Sequence, residues 1–77
     1  MIEVGTKGTV TGPAEGTLDA WRSPAEVVGV APFSACVCYA RPGCAAVCDW
    51  FSTDPNLRPG QRHGDPPEFA LRFEADA

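Results

Sequence analysis

Eight glycines and eight prolines are spread through a chain of 77 residues. Proline has no N–H to give a helix or a sheet interior, and glycine weakens both while suiting the turns where φ must be positive. Their frequency favours short strands and turns over long helices. The length allows one domain, 1–77, and so short a chain buries too small a core to be comfortable without a disulfide, a metal or a partner subunit.

Between these breaks apolar and polar residues alternate with the two-residue period of a strand. Ile2, Val4, Thr6, Gly8 and Val10 share one face, with Glu3, Lys7 and Thr11 on the other. Gly12-Pro13-Ala14-Glu15-Gly16 supplies hairpin turn chemistry, and residues 17–21 form the returning strand. Ser23-Pro24-Ala25-Glu26 has the spacing of a capping box with Pro at the first helical position. The β-branched residues that follow restrict this to one helical turn leading into a strand, with an α+β fold and a helix over 23–30 as the alternative. Residues 33–40 and 44–52 read as two further strands, and 53–67, with four prolines and no periodicity, as a long loop expected to be the most mobile segment. Residues 68–74 close the chain as a strand in which Phe69, Leu71 and Phe73 alternate with Arg72 and Glu74. Trp21, Phe33, Tyr39, Trp50, Phe51, Phe69 and Phe73 are the aromatic residues available to fill a core.

The opening Val4-Gly5-Thr6-Lys7-Gly8-Thr9-Val10, followed by a Gly-Pro turn, resembles the first strand of small SH3-like barrels, including the KOW type of ribosomal and transcription proteins. The resemblance implies a peptide, nucleic-acid or subunit contact module, and the chain departs from the RNA-binding members in lacking their basic face. The expected fold is therefore all-β, a small SH3-like barrel or a compact sheet of five to six antiparallel strands with at most one short helical turn.

Four cysteines cluster in the run Cys36-Val37-Cys38-Tyr39-Ala40-Arg41-Pro42-Gly43-Cys44-Ala45-Ala46-Val47-Cys48. With Arg41-Pro42-Gly43 as the loop, Ala40 faces Cys44, Cys38 faces Ala46, Cys36 faces Cys48 and Ser34 faces Trp50, and all four thiols share one side of the sheet. A two-residue Pro42-Gly43 loop would shift the register by one and separate Cys44 and Cys48 from Cys36 and Cys38. Type II geometry suits Pro-Gly but fits hairpin twist poorly, which favours the longer loop.

Three chemistries compete for these thiols. Cys36, Cys38, Cys44 and Cys48 are candidate ligands for zinc or another thiophilic metal, since four thiolates suit a tetrahedral site and Cys44-x3-Cys48 has a structural zinc spacing. Cys36-x-Cys38 lacks it, because side chains two apart on a flat strand project from points about 6.5 to 7 Å apart. A disulfide competes, with Cys36 and Cys48 as the best-opposed pair. The third reading makes the cysteines small hydrophobes in a core hairpin, interleaved with Val, Ala and Tyr.

Ten Asp and Glu against six Lys and Arg leave a net charge of −4, which repels a phosphate backbone and argues against a nucleic-acid partner. No run of about twenty apolar residues offers a membrane span, and the N-terminus lacks a signal pattern, so the expected location is cytoplasmic. Heavy use of Gly, Ala, Pro and Arg with a single Lys points to a GC-rich bacterial or phage genome. His63 is the only histidine, and neither Asp54 nor Asp65 completes a nucleophile signature with it, so no catalytic residue is assigned. Arg58, Gln61, Arg62 and His63 form one locally basic stretch with donors for a phosphate or carboxylate. Trp50 and Phe51 lie on opposite strand faces, so one ring points outward. Arg58, Arg62, His63 and Trp50 are thus the candidate contacts for an anion or a protein. The functional expectation is a non-enzymatic interaction module without a cofactor that self-associates or binds a protein; the alternative is a metal-binding or thiol-redox protein.

Overall fold

The structure, a computed structural model, describes residues 2–12, 21–66 and 69–76. It is all-β. Strands β1 (Lys7–Thr11), β2 (Arg22–Ala31), β3 (Ser34–Tyr39), β4 (Val47–Ser52) and β5 (Arg72–Ala75) form one antiparallel sheet in the order β4-β3-β2-β1-β5. The sheet curls into a half-barrel, as right-handed strand twist promotes. Its inner face carries Val10, Ala25, Val27, Ala35, Val37, Tyr39, Phe51, Leu71 and Phe73. Phe51 is only 1% exposed, and burying such a ring contributes about 2–3 kcal/mol. Tyr39, Phe51 and Phe73 pack edge-on or tilted with centroids 5.9 and 6.2 Å apart. Gly8 lets β1 and β5 approach: a Cβ there would lie 2.7 Å from the Phe73 ring and 2.9 Å from the Ala75 Cα.

The stretch expected to begin a helix is strand. Ser23, Ala25 and Val27 are buried while Arg22, Pro24 and Glu26 are exposed, the alternation of a half-buried strand, and β2 is needed between β1 and β3. Pro24 is tolerated in this inner strand by position. Val27 donates its N–H to Thr6 O at 2.9 Å, so residues of that parity bond to β1 and the Pro24 nitrogen points to the β3 side. There β3 has already ended, Tyr39 pairing with Ala25, and no ladder bond is lost. A register shift between Val27 and Gly29 bulges β2.

The first strand starts later than its alternation suggested, because residues 4–5 turn with Gly5 at φ 93° and Val4 is exposed. The expected turn and returning strand over 13–20 lie outside the described residues, although Gly12 N–H bonds Trp21 O at 2.8 Å as a hairpin would. Of the aromatic core candidates, Phe33, Trp50 and Phe69 are exposed. Phe51 points inward and Trp50 outward, which settles the opposed pair of rings.

The β3–β4 register differs from the expected one by two residues. Cys38 pairs with Cys48, Cys36 with Trp50 and Ser34 with Ser52. Residues 40–46 make the connection, longer than Arg41-Pro42-Gly43 alone. The slip keeps side-chain parity, so the cysteines of the strands do share a face, but it is the outer one; Ala35, Val37 and Tyr39 fill the core in their place. The reading of the cysteines as core residues is thereby corrected.

Within the stretch expected to be a loop, residues 60–63 close the half-barrel. Ser52 N–H bonds Gln61 O, Gly60 N–H bonds Ser52 O and His63 N–H bonds Trp50 O on the β4 side. On the β5 side Arg62 N–H bonds Leu71 O and Phe73 N–H bonds Gly60 O. Residues 60–63 thus span the two outermost strands, and Gly60, at φ 80°, lies so close to β5 that a Cβ would be 2.9 Å from Phe73 O.

Candidate functional site

Arg62 is committed to the fold. Its guanidinium grips Asp65 with two parallel bonds, Nε to Oδ2 at 2.9 Å and Nη2 to Oδ1 at 2.8 Å, while Nη1 reaches Tyr39 Oη at 3.1 Å and Asp49 Oδ2 at 3.3 Å. Tyr39 donates its hydroxyl to Asp49 at 2.5 Å, and Leu71 N–H donates to Asp65 at 3.0 Å. Burial alone would raise the Asp65 carboxyl, but the bonds from Arg62 and Leu71 hold it below its ordinary value. Burial, reinforced by the Asp49 carboxylate, raises the Tyr39 phenol. Two carboxylates around one guanidinium leave little positive charge to offer an anion. Of the three expected cationic or ionisable donors, only Arg58 and His63 project into solvent.

His63 and Trp50 are brought together. The outer row of β4 carries Trp50 at 45% exposure, and its indole crosses Cys36 toward Gly29, where a Cβ would lie 3.9 Å from Trp50 Cη2. His63 binds the Trp50 carbonyl through its backbone, and its Nε2 shares a 2.7 Å hydrogen bond with Ser34 Oγ. Arg62, His63 and Gly64 separate two shallow hollows, one reaching Arg58 and Leu57, the other Trp50 and Asp49. The four expected contact residues therefore neighbour one another, with Arg62 serving the scaffold.

The thiols divide differently. Cys38 and Cys48 form a disulfide across β3 and β4, with Cα atoms 4.0 Å apart. The expected Cys36–Cys48 pair is thus replaced, because the longer turn carries Cys48 opposite Cys38. Cys36 is a half-buried free thiol and Cys44 an exposed one in the turn. The bond takes up two of the four sulfurs a metal would need as thiolates, and among the described residues no three His, Cys, Asp or Glu side chains converge on one point.

A feature unmarked by sequence lies at the other end of β3. Ile2, Val30, Ala31, Pro32, Ser34 and Thr53 line an open trough of about 520 Å³. Phe33, which follows the lining residue Pro32 and precedes the lining residue Ser34 in sequence, is 64% exposed. None of the lining residues is charged. The signal available in sequence was Val30-Ala31-Pro32-Phe33, an apolar run ending in a turn, which reads equally well as core.

Comparison with protein-family models, curated proteins and solved structures finds no match to this chain.

Proposed function

We propose that this chain is a non-enzymatic interaction module whose partner is a second copy of itself, docked through the trough beside the β2–β3 turn. The observation that carries this reading is an exposed Phe33 next to an uncharged trough in a chain of net charge −4. Like-charged copies repel except where the meeting surfaces carry no charge, and an uncharged trough gives a charged partner nothing to recognise. A two-fold arrangement places each Phe33 in the other copy's trough, so that the same patch serves both sides. Burying an aromatic ring on each side supplies the anchoring that small interfaces need. Small size adds a reason, since a core of this extent gains from an added apolar interface.

Sedimentation velocity over a wide concentration range tests the reading. The native chain dimerises and its unfolding midpoint rises with protein concentration, whereas Phe33→Ser sediments as a folded monomer whose midpoint does not depend on concentration. A native chain that stays monomeric at millimolar concentration, or a Phe33→Ser variant that still dimerises, defeats it.

A further inference from the structure

We propose that the Cys38–Cys48 disulfide is a thiol-exchange site, in which a small thiolate enters past the open edge of β4 and bonds to Sγ of Cys48. Displacement at a disulfide needs the nucleophile, the attacked sulfur and the leaving sulfur close to one line, and access decides which sulfur is attacked. The bond runs between β3 and β4, so approach to Cys48 from behind comes from beyond β4. Among the described residues no backbone bond covers that edge at Cys48: the bridging segment pairs with β4 at Trp50 and Ser52, and backbone alternation turns the Cys48 N–H and C=O toward the same side. Approach to Cys38 from behind comes instead across β2, where Glu26 is the direct cross-strand neighbour of Cys38 and its side chain, paired in turn with Lys7, stands in the line of approach. Exposure follows the same order, Cys48 exposed and Cys38 half-buried.

The chemistry balances within named species. A substrate thiolate forms a bond to Cys48 Sγ as the bond to Cys38 Sγ breaks, and Cys38 leaves as a thiolate that takes up a proton. A second substrate thiolate then attacks the substrate sulfur of the mixed disulfide and releases Cys48 as a thiolate, also protonated. Two substrate thiols are oxidised to their disulfide, and the protein disulfide is reduced to two thiols. The substrate class is a monothiol of low molecular weight: the hollow on this face is lined by Cys38 with Lys7, Pro24, Ala25 and Glu26 and does not include Cys48, so it offers the attacked sulfur no wall against which a larger substrate would be held. The site is at the opposite end of β3 from the Phe33 trough, and its behaviour is independent of self-association.

The test uses oxidised protein and 2-mercaptoethanol, a neutral monothiol, with acid quenching at short times, alkylation of free thiols and mapping of the adduct by tandem mass spectrometry. The adduct is expected on Cys48 at least tenfold over Cys38. In a Cys36→Ser/Cys44→Ser variant, which cannot pass the adduct to another cysteine, the same preference holds and the mixed disulfide accumulates. An adduct on Cys38, an even division between the two sulfurs, reduction only under conditions that unfold the chain, or four free thiols in protein isolated without reductant would each overturn the proposal.

Discussion

Two arginines four positions apart have opposite standing. Arg58 is exposed, in a left-handed turn with φ 48°, and touches nothing charged among the described residues. Arg62 holds two carboxylates and a phenol, and Asp65 is only 12% exposed in its side chain. Arg62→Ala leaves those carboxylates facing each other without a counter-charge and is expected to cost about 2–3 kcal/mol, reduced from the fully buried case because the guanidinium is a third exposed. Arg58→Ala is expected to change stability by less than about 0.5 kcal/mol; urea denaturation of both variants checks the contrast. The same network sets the pH response. Asp65 has a lowered folded pKa, so its contribution is complete above the ordinary carboxylate value of 3.8 and is lost as acidification passes through the lowered one. Tyr39 has a raised folded pKa, so its contribution is complete below 10.0 and is lost as alkali passes through the raised one. Stability should therefore fall at both extremes, and Asp65→Asn should flatten the acid limb in denaturation midpoints measured from pH 2 to 6. Adjacent Arg62 and His63 read as a basic patch because one of the two carboxylates that neutralise Arg62, Asp49, is 13 positions away and local pattern carries nothing about it, while Asp65, three positions on, shows its pairing only once the loop is folded.

Strand faces and strand registers are specified by different information. Alternation put Trp50 and Phe51 on opposite faces and the strand cysteines on one face without saying which face is inner; the structure buries Val37, Tyr39, Phe51 and Phe73. A two-residue slip of β4 along β3 preserves every face, so alternation says nothing against it. It would set Asp49 opposite Ala35 in the core and pull Phe51 from its seat toward the β2–β3 turn. The observed register keeps Phe51 buried and lets Tyr39 reach Asp49, both consequences of packing among distant residues. The capping-box signal at Ser23 failed for a similar reason: two sheet ladders and the burial of Ala25 and Val27 outweigh one local cap, worth about 1 kcal/mol. The disulfide fixes the register covalently over a sequence separation of 10, and closing a loop of that size stabilises by about 2–3 kcal/mol. A Cys38→Ala/Cys48→Ala variant is expected to lose that amount in guanidinium denaturation. In Cys38→Ser, Cys36 and Cys48 should remain unbonded under mild oxidation, giving three free thiols, because joining them would require the slip that displaces Phe51. At Gly8, the closeness of β5 predicts a loss of about 1–3 kcal/mol for Gly8→Ala from overpacking, read from the same denaturation curves.

The whole molecule is a four-strand meander completed by a strand from the far end of the chain. The all-β architecture was legible because turn residues and alternation agree along most of the length. Its closure was not, since residues 60–63 carry no strand pattern and act through backbone bonds to β4 and β5. Local hairpins join β1 to β4 in sequence order, whereas β5 must find β1 across nearly the full length of the chain, and pairings at such separation form slowly. Until that happens β1 and β4 both present unpaired backbone edges, the kind of template on which chains stack into aggregates. Folding yield should therefore depend on protein concentration during refolding far more than the stability of the finished molecule does, and light scattering after dilution from denaturant would register the difference. The late arrival of β5 makes the period before closure, more than the native state, the time at which this small sheet is vulnerable.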